Sequence, residues 1–268
     1  MEKILYDDSI RKVEVLGDTM KYTLVRSGLV QYLTYSELLF QILTKKGVSP
    51  GNKRRNEPAV RYHDKYYFVY EIACAVYDGF LHSLDTLDAD LALFKEFKRS
   101  KKLDIDHAMD NRIVSTRENL SLMPSGLNRS KSDISAQFRG LDNLYIAYCD
   151  GEYRVCLELN LTPEYAARAL NGLPMKGLRG GPLHLLISSG GYVPVTMSFL
   201  CKSPEDLVSC LKSLKQMHFP GMPEGMTMYS RYKENEDADF WAQDSERVIK
   251  VQRELVAADR GCFQLWIP

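Results

Sequence analysis

Apolar and polar residues alternate along "KILYDDSIRKVEVLGDTMKYTLVRSGLVQYL", with turn signals at Gly17-Asp18 and Ser27-Gly28. A period of two bounded by turns predicts short antiparallel strands over residues 1–35. The period lengthens in "TYSELLFQILTKKG", a helix with Thr34 or Ser36 as cap and Lys45, Lys46 and Gly47 at its close. "TKKGVSPGNKRRNEP" is polar and basic and predicts a boundary loop or exposed arm. "AVRYHDKYYFVYEIACAVYDGF" predicts a strand, a turn at His63-Asp64, a second strand and a helix from about Tyr70. "DTLDADLALFKEFKRSKK" predicts another helix, acidic early and basic late, as the helix dipole favours.

Further along, Asp150-Gly151 sits between two alternating stretches and is a strong hairpin signal. "LTPEYAARALNG" predicts a short helix capped by Thr162, with Pro163 at its first position and Gly172 beyond its end. A second hairpin is expected around Gly190-Gly191. "SPEDLVSCLKSLKQMHF" predicts a helix capped by Ser203 with an acidic first turn. "ADFWAQDSERVIKVQRELVAADRG" predicts a last helix ending near Gly261. The elements divide as an N-terminal α/β segment over 1–50, a central domain over 51–140 and a C-terminal α+β domain over 141–268.

The chemistry concentrates in "LDIDHAMDNRIVSTRENLSLMPSGLNRSK", residues 103–131. Leu103 and Ile105 alternate as in a strand, Leu120 and Leu122 bracket a second, and Pro124-Ser125 open a helix with Asn128 in its first turn. Adjacent residues on a strand point to opposite faces, so Asp106 and His107 share a site only where the strand ends or bends. Asp106 offers a hard anionic oxygen and Asn128 an amide oxygen, a donor set that suits Mg²⁺ with water and a phosphate oxygen. An imidazole titrates near neutral pH, so His107 can take a proton from an attacking water. Asn119 cannot ionise, and its expected work is to hydrogen-bond across the loop and hold His107. The bland alternative is that Asp106, Asn119 and Asn128 are turn formers and a helix-start residue.

These residues resemble the HNH endonuclease motif of the ββα-metal nucleases, and most of all its phage and intron-homing type. Asp106-His107 looks like the first element, "TRENLSLM" with Asn119 the second and "SGLNRSK" with Asn128 the third, in the form with Asn where His is commoner. The spacings of 12 residues from His107 to Asn119 and 9 to Asn128 are similar to the family's. The resemblance covers about 30 residues of the chain, and about 80 with the strand-turn-strand-helix segment upstream. Relatives often carry His where this chain has Tyr70. The resemblance implies an α+β chain with a central ββα-metal motif, flanked by an N-terminal strand and helix region and a C-terminal hairpin-plus-helix region. It implies Asp106 and Asn128 as ligands of one Mg²⁺ or Mn²⁺ ion, His107 as general base and Asn119 as its orienter. The substrate implied is double-stranded DNA, nicked or cut at a preferred site. A phage origin, with action in the bacterial cytoplasm, is implied in the same way. Three strands and a helix in the C-terminal half are similar to the AP2-like DNA-binding domains that accompany such motifs, with residues 160–182 as an insertion.

Charge and composition limit this picture. Net charge is zero, 35 basic against 35 acidic side chains, which runs against a plain nucleic-acid binder. Local clusters must then make the phosphate contacts. Candidates are Lys53, Arg54 and Arg55, then Lys98, Arg99, Lys101 and Lys102, and, after Asn128, Arg129 and Lys131. Six cysteines with no C-x-x-C pair exclude the usual structural zinc spacing and suggest reduced thiols in a cytosolic compartment. With neither an apolar N-terminal run nor 18 consecutive apolar residues, no secretory signal and no membrane partner are expected. Two rival readings stay open: a non-catalytic DNA-binding or regulatory protein on the same scaffold, and a nuclease whose C-terminal region binds a protein partner.

Overall fold

The structure is a computed structural model that describes residues 2–45, 48–52, 57–63, 65–135, 143–161, 193–216 and 238–266. Among them it is mixed α+β, with several small sheets and six helices. The chain divides into two compact units, residues 1–124 with 237–249, and residues 125–236 with 250–268.

The first unit begins with the expected meander: β1 (Glu2–Asp7), β2 (Arg11–Leu16), β3 (Thr19–Leu24) and β4 (Leu29–Thr34), paired antiparallel in chain order. Gly17 and Gly28 close two of its turns at φ of +64° and +69°, which glycine adopts without steric cost. Along β3 the inward positions Met20, Tyr22 and Leu24 are buried at a spacing of two, as the pattern predicts. Helix α1 (Glu37–Thr44) follows, with Ser36 in extended backbone as its N-cap residue but making no side-chain cap bond. Its other end is closed from outside: the buried Arg11 guanidinium donates to the carbonyls of Leu43 (3.1 Å) and Lys45. Cationic donors suit the orphan carbonyls of a helix C-terminus.

The stretch predicted as a loop over 44–58 instead holds a strand, β5 (Val48–Asn52), on the edge of a three-stranded sheet with β6 (Glu57–Tyr62) and β7 (Lys65–Phe68). Pro50 and Gly51 hide it from a periodicity reading, and an irregular edge strand is where such residues are tolerated. Helices α2 (Val69–Tyr77) and α3 (Leu87–Lys101) match expectation, and Lys102 ends α3 in left-handed backbone at φ +53°. One apolar cluster joins Val13 and Leu33 of the meander, Leu39 of α1, Ile72 of α2, Phe94 of α3 and Leu120 of the later hairpin. This cluster draws on residues from both sides of residue 50.

Strands β8 (Leu103–His107), β9 (Val114–Ser115) and β10 (Leu120–Pro124) complete the strands of this unit, and α4 (Ser125–Ser135) opens the second. In the second unit β11 (Asn143–Cys149) and β12 (Glu152–Leu161) form the hairpin predicted at Asp150-Gly151, with φ of +51° and +86°. Strand β13 (Val193–Cys201) pairs with β12, so the antiparallel order is β11-β12-β13. Helix α5 (Pro204–Gln216) starts as predicted, the backbone N–H of Asp206 donating to Ser203 Oγ at 3.1 Å. Helix α6 spans Ala238–Ala257; its residues to Ile249 belong to the first unit and those from Lys250 to the second. The two-residue β14 (Gln264–Leu265) adds in parallel to β13. The helix predicted at 161–172 and the turn at Gly190-Gly191 lie outside the described residues. Among the described residues no helix is long and apolar enough to cross a membrane.

Candidate active site

Strands β8 and β10 pair antiparallel, with Ser121 opposite Asp106 and Leu120 opposite His107. His107 is the last residue of β8, and the chain turns at once: the N–H of Asp110 donates to the His107 carbonyl at 2.6 Å, and Asp110 has φ +52°. Asp106 and His107 therefore sit at a strand end, the condition set by the alternation of side chains. They are 1% and 8% exposed, so both lie beneath the surface.

The loop from Ala108 to Asn119 is organised by Asn119, which is fully buried. Its Oδ1 accepts from the N–H of Met109 at 2.9 Å, and its Nδ2 donates to the carbonyls of Asn111 (3.2 Å) and Val114 (2.7 Å). One amide thus ties three backbone points of the loop that follows His107. Asn111, read in the sequence only as part of a break, is a second brace. Its Oδ1 accepts from the Ile113 N–H at 3.0 Å and its Nδ2 donates to Ser245 Oγ of α6 at 3.1 Å. Tyr32, Val114, Val248 and Ile249 form a small apolar cluster beside it.

The loop is also stitched to the N-terminal meander. β9 adds in parallel to β4, Tyr32 opposite Val114 and Leu33 opposite Ser115. The Tyr77 hydroxyl donates to the Ser115 carbonyl at 3.1 Å and accepts from the Thr34 N–H at 2.9 Å. Burial pushes that phenol well above its ordinary range, so it stays a neutral donor. Around the imidazole itself, His107 Nε2 lies 3.2 Å from Ser115 Oγ, and the Tyr70 ring meets the His107 ring edge-on at 5.6 Å. Tyr70, Ser115 and Gln31, whose Nε2 donates to Ser115 Oγ at 2.7 Å, carried no signal in the motif pattern. Only the upstream likeness drew attention to position 70.

The remaining predicted residues separate. Asn128 lies in the first turn of α4, half-buried, and Arg129 beside it is exposed. Lys131 departs from expectation: it is fully buried, so it does not belong to a solvent-facing basic patch. Lys98 departs too, because its ammonium pairs with Glu71 at 3.6 Å and lies over the Phe94 ring. Arg99 is exposed and paired with Glu96 at 2.6 Å, while Lys101 and Lys102 are exposed at the end of α3. Lys53, Arg54 and Arg55 lie outside the described residues. Two exposed arginines of the loop went unremarked in the sequence, Arg112, bridged to Glu57 at 3.1 Å, and Arg117, stacked over Tyr77.

Among the described residues no group of three or more His, Cys, Asp or Glu side chains is placed to hold a metal ion. The two expected donors, Asp106 and Asn128, fall in different units, and a carboxylate and an amide oxygen are hard donors of the kind that Mg²⁺ or Mn²⁺ takes. The chain matches no protein-family model, no curated protein and no solved structure.

Proposed function

We propose that the chain is a metal-dependent DNA endonuclease of the HNH, or ββα-metal, type, which nicks or cuts duplex DNA at a preferred site. The observation that supports this most is the strand end carrying Asp106 and His107, with a following loop fastened at three backbone points by Asn119. A carboxylate, an imidazole and a non-ionising brace are what hydrolysis by activated water needs at one place.

In this reading His107 accepts a proton from the water that attacks phosphorus. One P–O bond forms, another breaks, and the leaving oxygen takes up a proton. Asn119 keeps the loop after His107 in one conformation, so the imidazole is aimed before substrate arrives. Asp106 would hold a Mg²⁺ or Mn²⁺ ion, with Asn128 as the second ligand assigned by the motif pattern. When bound, the ion supplies neutralisation of charge on the phosphate and the leaving oxygen. Arg129, exposed in the same helix as Asn128, binds a neighbouring phosphate.

A second reading, a DNA-binding or regulatory protein without turnover, draws support from the zero net charge and from the near-complete enclosure of Asp106. Supercoiled plasmid separates the two. Incubation with Mg²⁺, Mn²⁺ or EDTA, beside His107→Ala, is expected to give metal-dependent nicked or linear product that the variant does not form. Equal cleavage by His107→Ala would overturn the mechanism. Metal-independent binding with no product would establish the second reading.

A further inference from the structure

Strands β6 and β7 of the first unit present one face that leads toward His107. Residues directly opposite on antiparallel strands share a face, and here Arg61 is opposite Tyr66 and Ala59 opposite Phe68. Glu57, two positions before Ala59, lies on the same face of β6. Two contacts join this face to the stretch proposed as catalytic. The Phe68 ring stacks on Tyr70 at 5.4 Å, and Tyr70 meets the His107 ring edge-on at 5.6 Å. Glu57 Oε1 accepts from Arg112 Nη1 at 3.1 Å, and Arg112 belongs to the loop that follows His107.

Arg112 is anchored from one side only. The Glu57 side chain is 7% exposed and that of Arg112 71%, so a buried anion holds a guanidinium that opens to solvent. A guanidinium has five N–H donors, and among the described residues only Glu57 takes one of them. A planar fork fixed in this way suits a phosphate. At the other end of the face, Tyr66 is 58% exposed and the exposed Arg61 guanidinium lies 5.9 Å from the centre of its ring. A lone exposed tyrosine is ordinary, but this one supports a cation on a surface poor in acid. Glu57 is the only acidic residue in β5, β6 and β7, and Arg112 neutralises it, while Arg61 and Lys65 are basic. A polyanion is the occupant that such a surface attracts. We propose that this face is a docking track for one sugar-phosphate strand of duplex DNA, with Arg112 at its inner end and Arg61, backed by Tyr66, at its outer end. The choice of DNA rests on the nuclease reading. Glu57 and Arg61 are four residues apart, roughly 13 Å along a strand, or about four nucleotides of rise on one DNA strand. The two arginines therefore engage different phosphates, and their contributions add.

The test is fluorescence anisotropy of the full chain with a labelled DNA duplex of mixed sequence, in EDTA, over about 50 to 200 mM salt. Arg61→Ala is expected to weaken binding about tenfold near 0.1 M salt and to reduce the slope of log K against log salt by about one. Arg112→Gln, which removes the charge but keeps a donor for Glu57, is expected to do the same, and the double variant to reduce the slope by about two. Arg61 is exposed, so Arg61→Ala carries the comparison should Arg112→Gln not fold. Tyr66→Ala removes no charge and is expected to weaken binding at an unchanged slope. Lys3→Ala, an exposed charge of β1 in the other sheet, is expected to leave binding as it is. Wild-type slopes in both arginine variants, a loss in Lys3→Ala as large as in Arg61→Ala, or no binding by the wild type would overturn the proposal. Binding is read without metal or turnover, so the two readings fail separately. Slopes reduced as expected with plasmid left uncut would remove the nuclease reading and keep the track; plasmid cut with slopes intact would do the reverse.

Discussion

Asn119 Nδ2 donates to the carbonyl of Val114 at 2.7 Å, and through this bond a buried side chain closes the loop that follows His107. The same amide accepts from Met109 and donates to Asn111, so removing it takes a partner from three backbone groups, two of them in buried bonds. Asn119→Ala is expected to cost about 2–3 kcal/mol in urea unfolding, the order of an unsatisfied buried group or two. Asn119→Asp is expected to be no better. It retains an acceptor for Met109 but faces two carbonyls without a donor, and it buries a charge. Full stability in Asn119→Asp would show that the loop is not held as described. On the nuclease reading, both variants also lose cleavage.

Asp8 sets a pH dependence. Burial alone would raise its carboxyl, but the N–H groups of Ile10 and Arg11, the Tyr6 hydroxyl and the Arg11 guanidinium outweigh it and hold the pKa down to about 2. A carboxylate with a depressed folded-state pKa stabilises above its unfolded value, near 3.9, and that contribution is lost as pH falls toward the folded value. Arg11 in turn closes the C-terminus of α1. Melting temperatures of the wild type and Asp8→Asn are therefore expected to differ at pH 6 and to converge from about pH 4 downward. A gap as wide at pH 2 as at pH 6 would contradict this account.

Two basic residues that read alike in sequence are expected to behave differently. Arg129 is exposed, whereas Lys98 is paired with Glu71 and lies over Phe94. On the nuclease reading, Arg129→Ala is expected to weaken DNA binding and reduce the slope of log K against log salt by about one. Lys98→Ala is expected to leave that slope unchanged and to cost about 1 kcal/mol of stability through lost packing and the half-buried pair. A reduced salt slope in Lys98→Ala would return that lysine to the DNA-contacting set.

The contrast shows what was legible in the sequence. Periodicity and turn chemistry are local, and they located the meander, the Asp150-Gly151 hairpin, the Ser203 cap and the strands holding Asp106 and Leu120. Asn119 stood out where its bonds are local, spanning 10 residues to Met109 and 5 to Val114. Gln31 was not legible, because its importance comes from a parallel pairing across more than 80 positions, and within β4 it looks like an ordinary polar position. The pairing of Lys98 and the enclosure of Lys131 were hidden for the same reason, since charge runs in sequence do not reveal what packs over them. β5 escaped because Pro50 and Gly51 mask an irregular edge strand.

Asp106 offers a test of the metal reading that does not depend on finding the DNA target. Asp106 is the penultimate residue of β8 and is 1% exposed, so an ion bound there engages the folded chain and not the unfolded one. Such a ligand stabilises by mass action, about 2.7 kcal/mol at a hundred times its Kd. Thermal unfolding in EDTA, Mg²⁺ and Mn²⁺ is therefore expected to show a rising midpoint with either ion, with Mg²⁺ requiring the higher concentration. Asp106→Asn preserves shape and removes the charge, so its midpoint is expected to be indifferent to the ions. An equal rise in the wild type and in Asp106→Asn would place ion binding elsewhere and remove Asp106 from the ligand set.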